Sequence, residues 1–409
     1  MSLRQTRFST LAFRTNEVFR ARTKYVSDAG LEARLIVEGD SSSVPGTNGS
    51  SLAMMRNVPH VTNLNASNYW RGVHCLVFLF LATSGMSLPA QEFRLSGEVK
   101  IVPAAKPELP IYVYSPDGHI TAYPQRGNWI VFWPGTDSYS SEGKTISNLS
   151  GARKVLSKGD ETEFDNGGAW LYAVFPQIGN RMLGFYHAED HKFAADPTST
   201  FIAYKSIARC SSTDGGRTWK KDAQILTGEK PKPEKAEWSG AGDHCIIWDA
   251  ATKRYFCYFQ EQGILRMAMS EDAEGRPGTW KKWFEGGFTE PGIGGRATPI
   301  PNLVDKEGGN PSVHWNTFLR RWVMVYHNWT GDLLISRSAD LTSWTAPKLL
   351  LEKPSVAGKV WYPTIIGTTD KEAGEKAILL YAHFPDIEKH ERRFESREIT
   401  FLKDQAPNP

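Results

Sequence analysis

One short turn, written three times, constrains this chain more than any other feature. Its fullest copy is Ser212-Thr213-Asp214-Gly215-Gly216-Arg217-Thr218-Trp219. A polar step with two glycines runs straight into Thr and Trp. Such a string predicts a tight turn between two strands. Asp214 accepts from local backbone N–H groups, the glycines take the left-handed positions, and Trp219 folds back as an apolar plug. Looser copies stand at Ser270-Glu271-Asp272 with Gly278-Thr279-Trp280, and at Ser338-Ala339-Asp340 with Trp344. A turn repeated in this way implies a repeated supersecondary unit.

A second repeat runs beside it. Trp129–Trp133, Met182–Tyr186, Tyr255–Phe259, Trp322–Tyr326 and Ala377–Tyr381 align without gaps, and each ends on an aromatic. Such near-continuous apolar runs are expected for strands covered on both faces. A short strand precedes each, at His119–Tyr123, Ala169–Phe175, His244–Trp248, Ser312–Trp315 and Tyr362–Ile366. A third strand enters the repeated turn at Phe201–Cys210, Ile264–Met269 and Leu333–Ser336, and a fourth leaves it, as at Lys348–Leu351. No long amphipathic helix interrupts the series. The expectation is an all-β chain: a β-propeller with four antiparallel strands per blade, five-bladed, with six blades as the alternative. Glu92–Tyr114 is expected to supply the closing strand of the last blade or part of a sixth. Inserted loops are expected at Ser138–Asp165, Ala188–Thr200, Leu226–Gly242 and Phe284–Asn310. Loops gathered on one rim build binding sites.

The eight-residue turn resembles the Asp-box, or BNR repeat, of the sialidase superfamily of β-propellers. That resemblance implies a structural role for the boxes, on the outer edge of the blades and away from any active site. It also implies an arginine triad that grips a substrate carboxylate through bidentate bonds. The arginines available for it are Arg181, Arg266, Arg296 and Arg337, of which Arg296 ends a Gly-rich loop. The blades are similar, too, to those of five-bladed arabinanase-, xylosidase- and invertase-type glycosidases. Asn310-Pro311-Ser312-Val313, Ser338–Trp344 and Tyr362-Pro363-Thr364 carry that likeness. It implies an Asp at the start of blade one, an Asp near blade two and a Glu near blade three. The rough counterparts are Asp117, Asp165 or Asp190, and Glu237 or Asp243.

In a propeller the start of each first strand and the end of each second strand share one face. The candidate catalytic residues on that face are Glu189, Asp190 and Asp243, which could supply the acid and the base or nucleophile of glycoside hydrolysis. The candidate substrate-binding residues are Asp117, His119, His187, His244, Arg296, Asn310, His327 and Tyr362. Trp170, Trp238, Trp329 and Trp361 are expected to stack on sugar faces. No Cys/His spacing resembles a zinc site, so neither metal nor cofactor is expected, with a channel Ca²⁺ as the alternative. The formal charge of +3 and the lack of a basic run interleaved with aromatics argue against nucleic acid. The expected function is a glycoside hydrolase-like propeller acting on a carbohydrate. A non-catalytic propeller that binds glycan or protein, and a sialidase proper, are the alternatives, because one fold hosts many functions.

The N-terminal region reads differently. Residues 1–70 carry many Ser, Asn, Arg and Thr without sustained periodicity, and read as disordered or as an over-extended leader. Residues 71–90 read as a secretory signal: Arg71, the apolar run Leu76–Ala82, and a small-residue exit to Ala90. The expectation is a secreted or periplasmic protein whose residues 91–409 form one propeller, free of the membrane once the signal is cleaved. Cys245 and Cys257 are expected to face each other across a hairpin around Asp249–Lys253, as a disulfide or as two buried thiols, leaving Cys210 free.

Overall fold

A computed structural model describes residues 92–102, 116–303, 308–389 and 392–403. The proposed leader (1–70) and signal segment (71–90) lie outside the described residues.

The architecture is an all-β propeller. Blade one consists of Thr121–Gln125, Asn128–Pro134, Ser138–Thr145 and Asn148–Leu156, paired in that order. Blade two follows with Gly168–Pro176, Met182–Asp190, Tyr204–Ser212 and Lys220–Thr227. Blade three has Ser239–Asp249, Arg254–Glu261, Ile264–Ser270 and Trp280–Phe284, with the extra edge strand Gly287–Pro291. Blade four has Gly308–Asn316, Arg321–Asn328, Leu333–Ser338 and Lys348–Leu351. The last blade pairs Lys359–Ile366, Lys376–Phe384 and Arg393–Phe401. Its outer strand comes from the other end of the chain: Phe93–Leu95 pairs antiparallel with it, Phe93 opposite Phe401. Glu92–Tyr114 therefore contributes a closing strand, and its residues 103–115 lie outside the described ones. Blades two and three are also bridged directly, where Ser239 and Gly240 run parallel to Tyr204 and Lys205.

The strand-ending aromatics explain how the blades hold together. Trp133, Tyr186, Phe259, Tyr326 and Tyr381 are all buried, and each belongs to a different apolar cluster. Each cluster joins consecutive blades. Phe259 packs in one that unites Phe175 and Phe185 of blade two with Ile246 of blade three. Trp133 packs in one that joins Ile120 and Val131 of blade one to Ile366, Leu380 and Phe394 of the last blade. Burial of each large apolar side chain stabilises by roughly 1.5–3 kcal/mol. These clusters are the core, and they run between the sheets.

The repeated turn folds as its residues require. Asp214 Oδ1 accepts from the backbone N–H of Arg217 and of Thr218, each at 3.0 Å, and Oδ2 accepts from the Thr218 hydroxyl at 2.6 Å. Ser212 Oγ accepts the Gly216 N–H at 2.9 Å. Trp219 donates to the Gly216 carbonyl at 3.2 Å and sets its ring edge-on to Phe132 of blade one, 5.9 Å between centroids. The copies behave alike. Trp280 donates to Gly275 O, and Asp340 accepts from the backbone of Thr342 and Ser343.

Three expectations are corrected. Ser138–Asp165 is no simple loop: it holds the third and fourth strands of blade one. The third of these strands is polar and the fourth mostly exposed, so neither carries an apolar run to reveal it. The stretch Phe284–Asn310 likewise contains the strand Gly287–Pro291. The third correction concerns the cysteines. Asp249 pairs with Arg254, which puts Cys245 opposite Tyr258 and Ile246 opposite Cys257. One residue of slip sends a side chain to the opposite face, so Cys245 and Cys257 lie in different seams, and both are free and buried, as is Cys210.

Gly216 tests this packing. Its φ is +81°, and an added Cβ would lie 2.7 Å from Phe132 Cζ and 3.0 Å from Met182 Sδ. Gly216→Ala is expected to lower unfolding free energy by about 1–3 kcal/mol in urea titrations, whereas Gly215→Ala, with nothing within 4 Å of its Cβ, should lose only the backbone part.

Candidate active site

First strands slip their register where they reach the channel. The slips fall between Leu171 and Ala173, Gly242 and Cys245, Gly309 and Ser312, and Trp361 and Thr364. A bulge of this kind bends the strand and re-aims a side chain. In three of them the inserted stretch includes a residue with positive φ: Asp243 at 49°, Asn310 at 48° and Tyr362 at 56°. Asp and Asn tolerate that region, but a bulky residue there is strained. In blade two Tyr172 takes the corresponding place. Blade one has no such slip; Gly118, ahead of its first strand, makes room for Tyr172, and a Cβ on it would lie 1.9 Å from the Tyr172 hydroxyl oxygen.

These residues meet across the ring. Tyr172 donates its hydroxyl to the Asp117 carbonyl at 3.2 Å. Asp117 Oδ1 accepts from the Tyr362 hydroxyl at 3.2 Å and from Arg392 Nη1 at 2.8 Å. The backbone N–H of His119 donates to Asn310 Oδ1 at 3.2 Å, so blades one and four touch although they are not neighbours. Three blades thus converge on Asp117, whose side chain remains 32% exposed.

A second network faces it from blades two and three. His187 Nδ1 accepts the Asp243 backbone N–H at 2.8 Å. The ring proton therefore sits on Nε2, which points at Glu189 Oε1, 3.2 Å away. Glu189 Oε2 meets His191 Nε2 at 2.9 Å. Burial opposes charge on Glu189, but the two imidazole hydrogen bonds outweigh it and hold the carboxyl below its usual range. Asp243 Oδ2 pairs with Lys205 Nζ at 2.8 Å, and Lys205 also donates to Gln260 Oε1. Burial would raise the Asp243 pKa. The adjacent Lys205 ammonium, which donates to Oδ2, reverses that effect and holds it well below the ordinary value, so Asp243 is ionised. Gly242 is the close-approach residue: a Cβ there would lie 2.5 Å from His187 Cε1. Trp170 stacks flat on His187, at 4.7 Å between centroids.

Tyr172 and Tyr362 stand between the two networks. Burial, with Asp243 and Asp117 added for Tyr172 and the same acids in reverse order for Tyr362, lifts both phenols well above 10. Both are protonated donors at every physiological pH.

Several residues singled out from the sequence sit outside this pair of networks. Asp190 anchors a loop: Oδ1 accepts from Asn166 Nδ2 at 2.6 Å and from the Lys192 N–H at 3.0 Å, and Oδ2 pairs with Lys232 at 2.6 Å. Arg296 pairs with Glu290 at 2.8 Å and covers the Phe284 ring, on the outer hairpin of blade three. It does not join the channel residues, because its strand neighbours belong to the blade edge. Arg181 is exposed beside Glu274, and Arg266 pairs with Glu261, so no triad of these arginines gathers on Asp117 and Asp243. His119 and His327 are buried and pushed down to about 3, chiefly by desolvation; His244 falls well below 6.5 for the same reason. These three imidazoles are neutral. His327 accepts the Tyr362 N–H at 3.4 Å and stacks on Trp361. Among the described residues no group of three or more His, Cys, Asp or Glu is placed to hold a metal ion.

Tyr172, Lys205 and Arg392 escaped the sequence reading. Lys205 did leave a signal, one of two charges, with Arg209, in the largely buried strand Tyr204–Ser212. Tyr172 was hidden inside an unbroken apolar strand, and Arg392 left none.

No protein-family model and no curated protein matches the chain. Among solved structures it is similar to several glycoside hydrolases. A family 117 glycoside hydrolase from the marine bacterium Zobellia galactanivorans has a TM-score of 0.47 at 8% identity, over 78% of this chain and 92% of that one. A putative exo-β-1,3-galactanase from Bifidobacterium bifidum gives 0.46 and 10%, over 74% and 93%. The α-L-arabinanase of Cellvibrio cellulosa gives 0.45 and 12%, over 69% and 91%. Likenesses this distant transfer no residue's role.

The Asp243 pair has a measurable signature. A carboxyl held below its ordinary value of 3.8 contributes stability above that value and loses it as pH falls below. Asp243→Asn should therefore flatten the fall of unfolding free energy between about pH 4 and about pH 2 by up to one proton, about 1.4 kcal/mol per pH unit. Urea unfolding across that range checks it, and an unchanged slope would contradict the ion pair.

Proposed function

We propose that this propeller is a glycoside hydrolase acting at the channel mouth. The observation that carries the reading is that two acids at the mouth, Asp117 and Asp243, are joined by a chain of contacts: Tyr172 donates its hydroxyl to the Asp117 carbonyl and lies against His187, which holds the Asp243 backbone. Hydrolysis of a glycosidic bond needs one carboxylate to act as base or nucleophile and one acid to protonate the leaving oxygen. Asp243 takes the first role, since Lys205 keeps it ionised. Asp117 takes the second, as the more exposed of the two; to do so its carboxyl must bind a proton against the Arg392 ion pair and the Tyr362 hydrogen bond, which favour the ionised form. Glu189 acts through His187. It fixes the imidazole whose Nδ1 holds the Asp243 backbone, so it is a positioning residue. Trp170, over His187, provides an apolar face beside the acids.

The substrate in this reading is a neutral glycoside. A sialoside would need cations free to grip its carboxylate, and Lys205 and Arg392 are both already paired with acids. A Ca²⁺ in the channel is not required by these steps. The second reading, a glycan-binding module without turnover, is favoured by one observation: each acid at the mouth has a basic partner, which suits a rigid rim.

The test is turnover by the full chain on a panel of aryl glycosides. Asp243→Asn and Asp117→Asn should each lower kcat by at least about 100-fold, the usual worth of an acid or base. Glu189→Gln should lower it less. Lys205→Met should move the acid limb of the kcat/KM profile upward, because the ammonium that favours the ionised Asp243 is gone. Retention of neutral oligosaccharides with no turnover of any glycoside would establish the binding module.

A further inference from the structure

The seam between blades two and three ends in an unusual residue. Tyr255, Cys257 and Phe259 point into the apolar cluster shared by these blades. Strand alternation sends the next same-face residue, Glu261, to the top of the seam. It is 4% exposed. Its Oε1 accepts the Glu229 N–H at 2.7 Å, while Oε2 lies 3.6 Å from Arg266 Nε and has no hydrogen-bond donor among the described residues. Burying a carboxylate oxygen without a donor is costly.

Glu261 also lines a cavity of about 130 Å³, together with Gly228, Lys230, Pro233, Glu237 and Trp238. Trp238 is 45% exposed, and Phe201, 70% exposed, stands edge-on to it at 5.4 Å. Two large aromatic side chains left open at the edge of a polar cavity form an apolar platform. The cavity lies just outboard of the two networks. Gly240, on its wall, pairs with Lys205, and Gln260, beside Glu261, accepts from the same lysine.

We propose that this cavity is a second sugar subsite, which holds a neutral unit of the oligosaccharide chain whose scissile end lies at Asp243. The inference rests on the glycan reading given above. Trp238 and Phe201 offer the apolar face for a pyranose or furanose ring, and Glu261 Oε2 accepts one of its hydroxyls. With Glu237 and Glu261 set against Lys230 in the lining, the cavity offers no surplus of positive charge to hold an acidic sugar. The chain therefore acts within or near the end of a polymer, and chain length sets its affinity.

The experiment is calorimetric titration of the full-length protein with neutral arabino-, galacto- and xylo-oligosaccharides of two to six units. Trp238→Ala and Glu261→Gln run beside it, with Asp243→Asn as the site control. The first variant alters an exposed side chain and the second keeps the shape of a buried one. Affinity of the wild type should rise with chain length. Each variant should lose about five- to tenfold for the longest ligand that binds, and leave the disaccharide, or turnover of an aryl monoglycoside, unchanged. Equal losses for short and long ligands, or none, would overturn the subsite and leave the channel-mouth reading standing. No binding of any member to wild type or to Asp243→Asn would overturn both.

Discussion

Everything at the channel mouth depends on how tightly the blades are pressed together below it. Each seam holds one aromatic of a second strand, and in three of the five the chain turns polar immediately past it. Tyr186 is followed by His187 and Glu189, Phe259 by Gln260 and Glu261, and Tyr326 by His327. A rigid apolar wedge thus fixes the level at which the polar ring begins. The polar groups are held by seams they do not belong to, which is why buried acids and imidazoles are tolerated there. Their partners arrive already in place from the neighbouring blade.

The bulges supply the second constraint. A regular first strand would alternate its side chains between the two adjoining seams. The inserted residue breaks that alternation and turns one side chain per strand toward the axis. Asp243, Asn310 and Tyr362 bear the conformational cost in left-handed backbone. Strain at three matching positions is consistent with a site under selection for geometry more than for stability. The charge logic follows from it. The Asp243 backbone is pinned by His187 and its carboxylate by Lys205, so neither the position nor the ionisation of this acid is left to solvent.

Much of this was legible in the chain itself. The turn ending in Trp219 and the five aligned apolar strands announce a propeller, because their periods are strong and their turn chemistry is specific. Asp117, His187, Glu189 and Asp243 could be placed on one face by topology alone. What stayed hidden had weak local signals. The outer strands of blade one are rich in polar residues, with only scattered apolar ones such as Leu149 and Val155, and look like loop. The hairpin register at Asp249 turns on a four-residue loop in which Asp249 accepts from Ala251 and Thr252, and one residue of difference moved Cys257 into another seam. Asp190 and Glu189 are adjacent and chemically alike, yet one ties down a loop and the other steadies a histidine, a distinction only partners can make. Lys205 and Arg392 reach the site from a third strand and from the loop before another, positions that the first- and second-strand rule does not cover.

The strand Phe93–Leu95, finally, makes the order of assembly unusual. It pairs with the last strand of the chain, so Phe93 and Phe401 are opposite each other although almost the whole described chain separates them. The last blade gains its outer strand only when both ends of the described chain meet. Contacts between such distant residues demand loop closure before they repay it, and topologies rich in them fold slowly. The same clasp makes opening of the ring a concerted event. Peeling the terminal strand uncovers the outer edge of the last blade, while its inner side stays packed on blade one through Trp133, Leu380 and Phe394.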